Sequence, residues 1–77
     1  MESISVQDYL QMIYRLQEEQ VRVSTSALAG RLGVAPASVT GMIRKLHRDG
    51  LVEYARYRGV VLTVEGQNAA LRVLRRH

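Results

Sequence analysis

Apolar residues recur with helical spacing near the start of the chain. The residues that keep this stripe are Val6, Tyr9, Leu10, Ile13, Leu16 and Gln17. Ser5 precedes the stripe and Asp8 stands three residues later, which is a capping-box pattern with Asp in place of the usual Glu. The pattern predicts a first helix over about residues 6–19.

The next segment predicts two short helices joined by a tight turn. Ser24 can cap a helix over about residues 25–32. Gly33 ends that helix, because glycine adopts the left-handed cap conformation without steric cost. Pro36 suits the first position of a third helix, over about residues 36–48, because its missing N–H has no helical partner there. This arrangement indicates a helix-turn-helix.

Two segments rich in β-branched and aromatic residues follow the third helix. Leu51–Ala55 and Val60–Leu62 flank the turn Arg56-Tyr57-Arg58-Gly59, so we expect a hairpin, or wing, over about residues 51–62. The short alternating segment Val21–Val23 predicts one further small strand.

A fourth helix, over about residues 64–77, completes the pattern. Thr63 can cap it, and Ala70, Val73 and Leu74 form its inward stripe. The predicted fold is mainly α with a small antiparallel β-hairpin, the layout of a winged helix-turn-helix. Because no repeat or linker interrupts the pattern, we expect one domain over residues 1–77.

Composition excludes several classes of protein. The 77 residues contain no cysteine, which rules out disulfides, thiolate metal sites and cysteine nucleophiles. The charged residues Glu2 and Asp8 are not typical of a signal peptide, and no apolar run is long enough to span a membrane. We therefore expect a cytoplasmic protein. It lacks a nucleophile–base pair and a phosphate-cradling glycine loop, so we do not expect an enzyme.

Positive charge is concentrated in the second half of the chain. The formal net charge is +4, although residues 1–43 are slightly negative. The basic residues of the second half are Arg44, Lys45, Arg48, Arg56, Arg58, Arg72, Arg75 and Arg76. Such asymmetry is typical of a surface that faces a polyanion, although a merely solvated face is the alternative.

The outward face of the third helix changes character along its length. It consists of Ala37, Ser38, Thr40, Gly41, Arg44, Lys45 and Arg48. In a major groove the first turns come closest to the bases, where hydroxyls can bond to phosphate or base, and the later cations would neutralise phosphates. Alternatively, the hydroxyls bond only their own backbone. The helix-turn-helix, the wing and the charge asymmetry together favour DNA binding.

Further DNA-contact candidates flank this face. Arg56, Tyr57 and Arg58 occupy the wing tip, where cations can follow phosphates or enter a minor groove. We add the residues that begin the second and third helices, namely Ser24, Thr25, Ser26 and Pro36.

Three motifs carry a family resemblance. "DYLQMIYRLQEE", "APASVTGMIRKLHRDG" and "YARYRGVVLTVEG" resemble the diphtheria-toxin-repressor family, and within it the manganese-responsive (MntR-type) branch. The resemblance covers essentially the whole chain. It implies a homodimeric repressor that binds a divalent metal and then a palindromic operator of metal-uptake genes. It also implies a following helical domain, absent from these residues, that dimerises and completes the metal site.

The resemblance also implies specific residues. Asp8 and His77 fall on two metal-ligand positions of the manganese branch, and Gln11 stands where that branch has Glu. Carboxylate and imidazole suit Mn(II) first and Fe(II) second. We expect an incomplete metal site in these 77 residues. Base-reading positions of the family fall on Ala37 and Gly41, which lack hydrogen-bond donors in their side chains.

Two other functions stay open on the sequence alone. One is a winged-helix regulator that no metal controls, and the other is a winged-helix module that binds protein instead of DNA. Asp8 can also be no more than the acid of the capping box.

Overall fold

Four helices and one hairpin follow each other in the order that the pattern predicts. The computed structural model describes residues 4–55 and 59–74. Its elements are α1 (Val6–Leu16), α2 (Thr25–Leu32), α3 (Pro36–Arg48), β1 (Val52–Ala55), β2 (Gly59–Leu62) and α4 (Val64–Leu74). The winged helix-turn-helix fold is thereby confirmed. None of the described helices combines the length and the apolar character that crossing a membrane requires.

Local capping groups begin the first two helices. The Ser5 hydroxyl accepts the Asp8 N–H at 3.1 Å, and Asp8 Oδ2 accepts the Ser5 N–H at 3.3 Å, which completes the capping box. The Ser24 hydroxyl accepts the Ala27 N–H at 3.0 Å at the start of α2. These bonds satisfy N–H groups that have no partner within the helix.

The first helix is shorter than predicted, ending at Leu16 instead of about residue 19. Glu18 N–H and Glu19 N–H bond carbonyls only three residues back, at 3.2 and 3.0 Å, so the chain tightens into a turn. The Gln17 side chain instead accepts the Leu62 N–H from β2 at 2.7 Å. A contact with a distant strand therefore accompanies the end of the helix.

The hairpin is regular, and β2 bonds with the segment that precedes α2. Its antiparallel register pairs Val52 with Leu62 and Ala55 with Gly59. The predicted strand at Val21–Val23 is reduced to a single bridge between Val23 and Val60. Gly59 has φ +91°, and a Cβ there would lie 2.5 Å from the Val23 carbonyl oxygen, so only glycine fits this close approach.

All described elements contribute to one hydrophobic core. Its buried members are Tyr9, Leu10, Ile13, Leu16, Val23, Leu28, Ala29, Val39, Ile43, Leu46, Val52, Val60, Leu62 and Ala70. On the inner side of α3, Val39, Ile43 and Leu46 are buried and Met42 is half-buried. Ala70, one of the three residues predicted to face inward on α4, is buried. The side chains of Val73 and Leu74, and residues 75–77 of the predicted fourth helix, lie outside the described residues.

The end of α3 is tied to the start of α4, and we call this contact the α3–α4 joint. The Thr63 hydroxyl donates to the Gly50 carbonyl at 2.7 Å and accepts the Gly66 N–H at 3.0 Å. The Thr63 N–H bonds the Leu51 carbonyl at 3.1 Å. A Cβ on the buried Gly66 would overlap the Leu51 carbonyl oxygen. The joint therefore fixes where α4 begins relative to α3.

Candidate nucleic-acid interface

One face of α3 is exposed along the whole helix, and we call it the recognition face. Its exposed members are Ala37, Ser38, Gly41, Arg44, Lys45 and Arg48. The opposite side of α3 packs into the core, which holds this face outward. Thr40, also predicted for the face, is half-buried, and its hydroxyl donates to the Pro36 carbonyl at 3.2 Å. That hydroxyl therefore has an acceptor within its own helix.

The cations of the recognition face carry charge that the described chain does not neutralise. Within residues 4–55 and 59–74, the one ion pair joins Arg31 of α2 to Glu19 at 3.9 Å. In that part of the chain, Arg44, Lys45 and Arg48 have no acidic partner, and all three are exposed. Their charge is available to an external anion.

The start of α2 lies beside the first residues of β2. The Val23–Val60 bridge brings these segments together, and a Cβ on Gly59 would lie 3.5 Å from Ser24 Cα. Ser24 and Ser26 are exposed, whereas Thr25 is half-buried. Because the Ser24 oxygen accepts a backbone N–H, its O–H remains a donor for an outside oxygen.

The other predicted contacts divide between exposed and undescribed positions. Pro36 is exposed at the first position of α3. Arg56, Tyr57 and Arg58, the predicted wing tip, lie outside the described residues. Tyr54, the residue before the last one of β1, is half-buried and packs against the core.

A groove of about 180 Å³ lies along α1 and shares no residue with the recognition face. Its lining residues are Ile4, Asp8, Gln11, Met12, Arg15 and Leu32. Asp8, which carries a carboxylate, is exposed, Gln11, which carries an amide, is half-buried, and both residues line this groove. Both are oxygen donors of the kind that hard divalent cations accept.

The metal ligands predicted from sequence are only partly brought together. Asp8 and Gln11 line one groove, whereas His77 lies outside the described residues. Within residues 4–55 and 59–74, no three His, Asp or Glu side chains are grouped closely enough to hold a metal ion. Asp8 and Gln11 fit part of a metal site, and Asp8 also serves the capping box.

Sequence reasoning did not place Ile4, Arg15 or Leu32 in this groove. Arg15 and Met12 lie on the same side of α1 as Asp8, and Leu32 contributes from α2. The spacing of Asp8, Met12 and Arg15, four and three residues apart, was the signal that could have grouped them. Tyr9, the neighbour of Asp8, belongs to the core instead, and burial raises the pKa of its phenol.

Comparison with known families gives a match over most of the chain. Residues 1–60 match the family model described as iron dependent repressor, N-terminal DNA binding domain. The chain is 42% identical over 73 residues to the HTH-type transcriptional regulator MntR of Oceanobacillus iheyensis, covering 95% of this chain and 50% of that protein. For MntR of Shouchella clausii the identity is 44%, covering 95% and 51%. The chain thus spans about half the length of the curated relatives it matches.

Solved structures of similar fold include two regulators. The manganese regulator SloR superposes with a TM-score of 0.81 at 32% identity, covering 99% of this chain and 35% of that one. A manganese-dependent transcriptional repressor in complex with manganese gives 0.81 at 44% identity, covering 95% and 33%. ScaR with bound Zn²⁺ gives 0.81 at 26% identity, covering 94% and 33%.

Proposed function

The chain belongs to the iron-dependent repressor family, and on that premise we propose that it is the sequence-specific DNA-binding domain of a divalent-metal-responsive transcriptional repressor. The observation that carries this proposal is the recognition face. The core holds α3 with three exposed cations that have no acidic partner in the described chain. A protein of this kind acts by binding DNA in the cytoplasm and not by catalysing a reaction.

The recognition face enters the major groove of a duplex. Its first turns, at Ala37, Ser38 and Gly41, meet the base edges, because a recognition helix presents its N-terminal residues to the bases. Arg44 and Lys45, with Arg48 one turn later, contact phosphates. Each phosphate contact releases condensed counterions, so the affinity falls as the salt concentration rises.

Hydroxyls and the wing complete the contact with the backbone of the duplex. Ser24, Thr25 and Ser26 lie at the start of α2, where hydroxyl donors can bond phosphate oxygens, and Pro36 and Thr40 support the first turns of α3. We assign phosphate or minor-groove contacts to the wing tip, residues 56–58, whose members are Arg56, Tyr57 and Arg58.

A salt titration tests DNA binding. Duplexes of about 25 base pairs would be selected from a randomised pool, a length that spans two half-sites one helical turn apart. Their Kd for the 77-residue chain would be measured by fluorescence anisotropy between about 50 and 200 mM salt. We expect log affinity to fall linearly with log salt. No enrichment of any duplex, or no binding at the lowest salt, would overturn the proposal.

The metal is the second part of the proposal. Asp8 and Gln11 of the α1 groove, together with His77, would hold a divalent cation, with Mn(II) preferred and Fe(II) second. The cation would supply a concentrated positive charge that attracts the carboxylate and imidazole donors to one point. The relatives named MntR and the neighbour solved with manganese support this choice. We propose that the full gene product is a homodimer that represses metal-uptake genes from a palindromic operator.

The alternative is a winged-helix repressor that no metal controls. Gln11 favours it, because a neutral amide is a weaker ligand than a carboxylate. Operator affinity of the full gene product, measured with and without Mn(II), separates the two accounts. An increase with Mn(II) supports metal control, and an unchanged affinity leaves the metal-independent repressor.

A further inference from the structure

Two helical glycines of this domain have opposite surroundings. Glycine inside a helix is less stable than alanine, so a steric reason for a helical glycine is informative. Gly66 of α4 has one in the fold, because a Cβ would overlap the Leu51 carbonyl oxygen. Gly41 of α3 has none there. A Cβ at Gly41 would have no neighbouring atom within 4 Å outside its own helix.

Gly41 lies in the middle of the recognition face. Ala37 stands four residues before it and Lys45 four residues after it, so the three share one line on the helix surface. Along this line, Ala37 carries a single methyl group, Gly41 has no side chain and Lys45 carries a long cationic side chain. The bare backbone of α3 is therefore the outer surface at Gly41, and cations flank it on one side only.

We propose that Gly41 determines how deeply α3 enters the major groove, and thereby which base pairs Ala37 and Ser38 read. The inference rests on the proposed DNA-binding function. A duplex drawn in by Arg44 and Lys45 meets backbone at Gly41, which permits an approach that any Cβ would obstruct. Moving the helix outward by a methyl group weakens the base contacts, while the long flexible cations still reach phosphates.

The matched pair Gly41→Ala and Gly30→Ala tests this inference. Gly30 of α2 is also exposed, helical and without neighbours within 4 Å, but it does not lie on the recognition face. Alanine should raise Tm by about 3 to 6 °C in both variants, because both sites gain helix propensity. Thermal unfolding followed by circular dichroism measures this gain and shows that both variants fold.

Duplex binding should separate the two variants. For the selected duplex, we expect Gly41→Ala to weaken affinity about tenfold, the size of an ordinary overpacking effect. Its affinity for a scrambled duplex and its salt slope should stay unchanged, because phosphate contacts are kept. Gly30→Ala should leave both affinities within about twofold of the original.

Three outcomes would overturn the inference. They are an unchanged specific affinity in Gly41→Ala, an equal loss in Gly30→Ala, and a lower Tm in Gly41→Ala, which would give the glycine a role in the fold. If the unaltered chain itself fails to prefer the selected duplex, the proposed function fails instead. That result is distinct from an effect of the substitution.

Discussion

The recognition face lies on α3 and the α3–α4 joint lies just beyond the end of that helix, yet the two are built in opposite ways. At the joint, Thr63 and Gly66 fit closely around Gly50 and Leu51, and each polar group of Thr63 has a partner. On the recognition face, exposed side chains meet few atoms of their own protein. Under the proposed function, stability and DNA affinity therefore depend on separate residues, so substitutions should change one and spare the other.

Gly66→Ala should change the stability of the domain more than any other substitution considered. Overlap with the Leu51 carbonyl oxygen forces α4 away from the joint, and we expect a loss of about 3 kcal/mol in the free energy of unfolding. Urea denaturation measures it. Asn68→Ala, on the exposed side of the same helix, serves as the control and should be neutral or slightly stabilising. An equal stability for Gly66→Ala would mean that the joint is loose.

Thr63→Val should have the next largest effect. Valine keeps the shape but removes the hydroxyl that bonds both the Gly50 carbonyl and the Gly66 N–H, at a cost of about 1 to 2 kcal/mol. Thr63→Ser retains the hydroxyl and should recover most of that stability. Chemical denaturation of both variants makes the measurement. If serine and valine destabilise equally, the methyl packing of Thr63 matters and its hydrogen bonds do not.

Arg44→Ala should leave stability unchanged and reduce DNA binding. Losing one phosphate contact should lower the slope of log affinity against log salt by about one unit. Arg72→Ala removes the same charge from the exposed surface of α4 and should keep the slope. Anisotropy titrations at several salt concentrations measure both. A parallel change in the two variants would point to net charge, and not to the recognition face, as the cause.

Asp8→Ala should cost less stability than either substitution at the α3–α4 joint. The capping box contributes about 0.5 to 1 kcal/mol to α1, and the Ser5→Ala control breaks the same box while keeping the carboxylate. In the full gene product, we expect Asp8→Ala to abolish activation by Mn(II) and Ser5→Ala to preserve it. Operator binding with and without Mn(II) tests this. Preserved activation in Asp8→Ala would leave Asp8 with its capping role alone.

Elements governed by neighbouring residues were predictable from the sequence. Ser5, Ser24, Gly33 and Pro36 begin or end helices where their local chemistry indicates. The end of α1 was not predictable, because Gln17 meets the Leu62 N–H across 45 positions of sequence. A helical stripe continues through Gln17, and only the folded hairpin gives its amide oxygen another partner.

The candidate site shows the same limit. Periodicity separates the buried from the exposed residues of α3, so most of the recognition face could be read from the sequence. The sequence does not show whether a polar side chain already has a partner in the fold. Only the structure shows that the Thr40 hydroxyl bonds the Pro36 carbonyl, whereas Arg44 has no acidic partner in the described chain. Likewise, sequence alone does not distinguish Gly41, which has open space, from Gly66, which has none.

The outer edge of β2 has a consequence for the behaviour of the molecule at high concentration. The Val60 N–H bonds the Val23 carbonyl at 2.8 Å, and the Leu62 N–H bonds the Gln17 side chain at 2.7 Å. An unprotected strand edge recruits strands from other chains and starts aggregation. Here a single residue and one glutamine amide cover that edge, so the small sheet resists intermolecular strand addition along β2 without a full third strand.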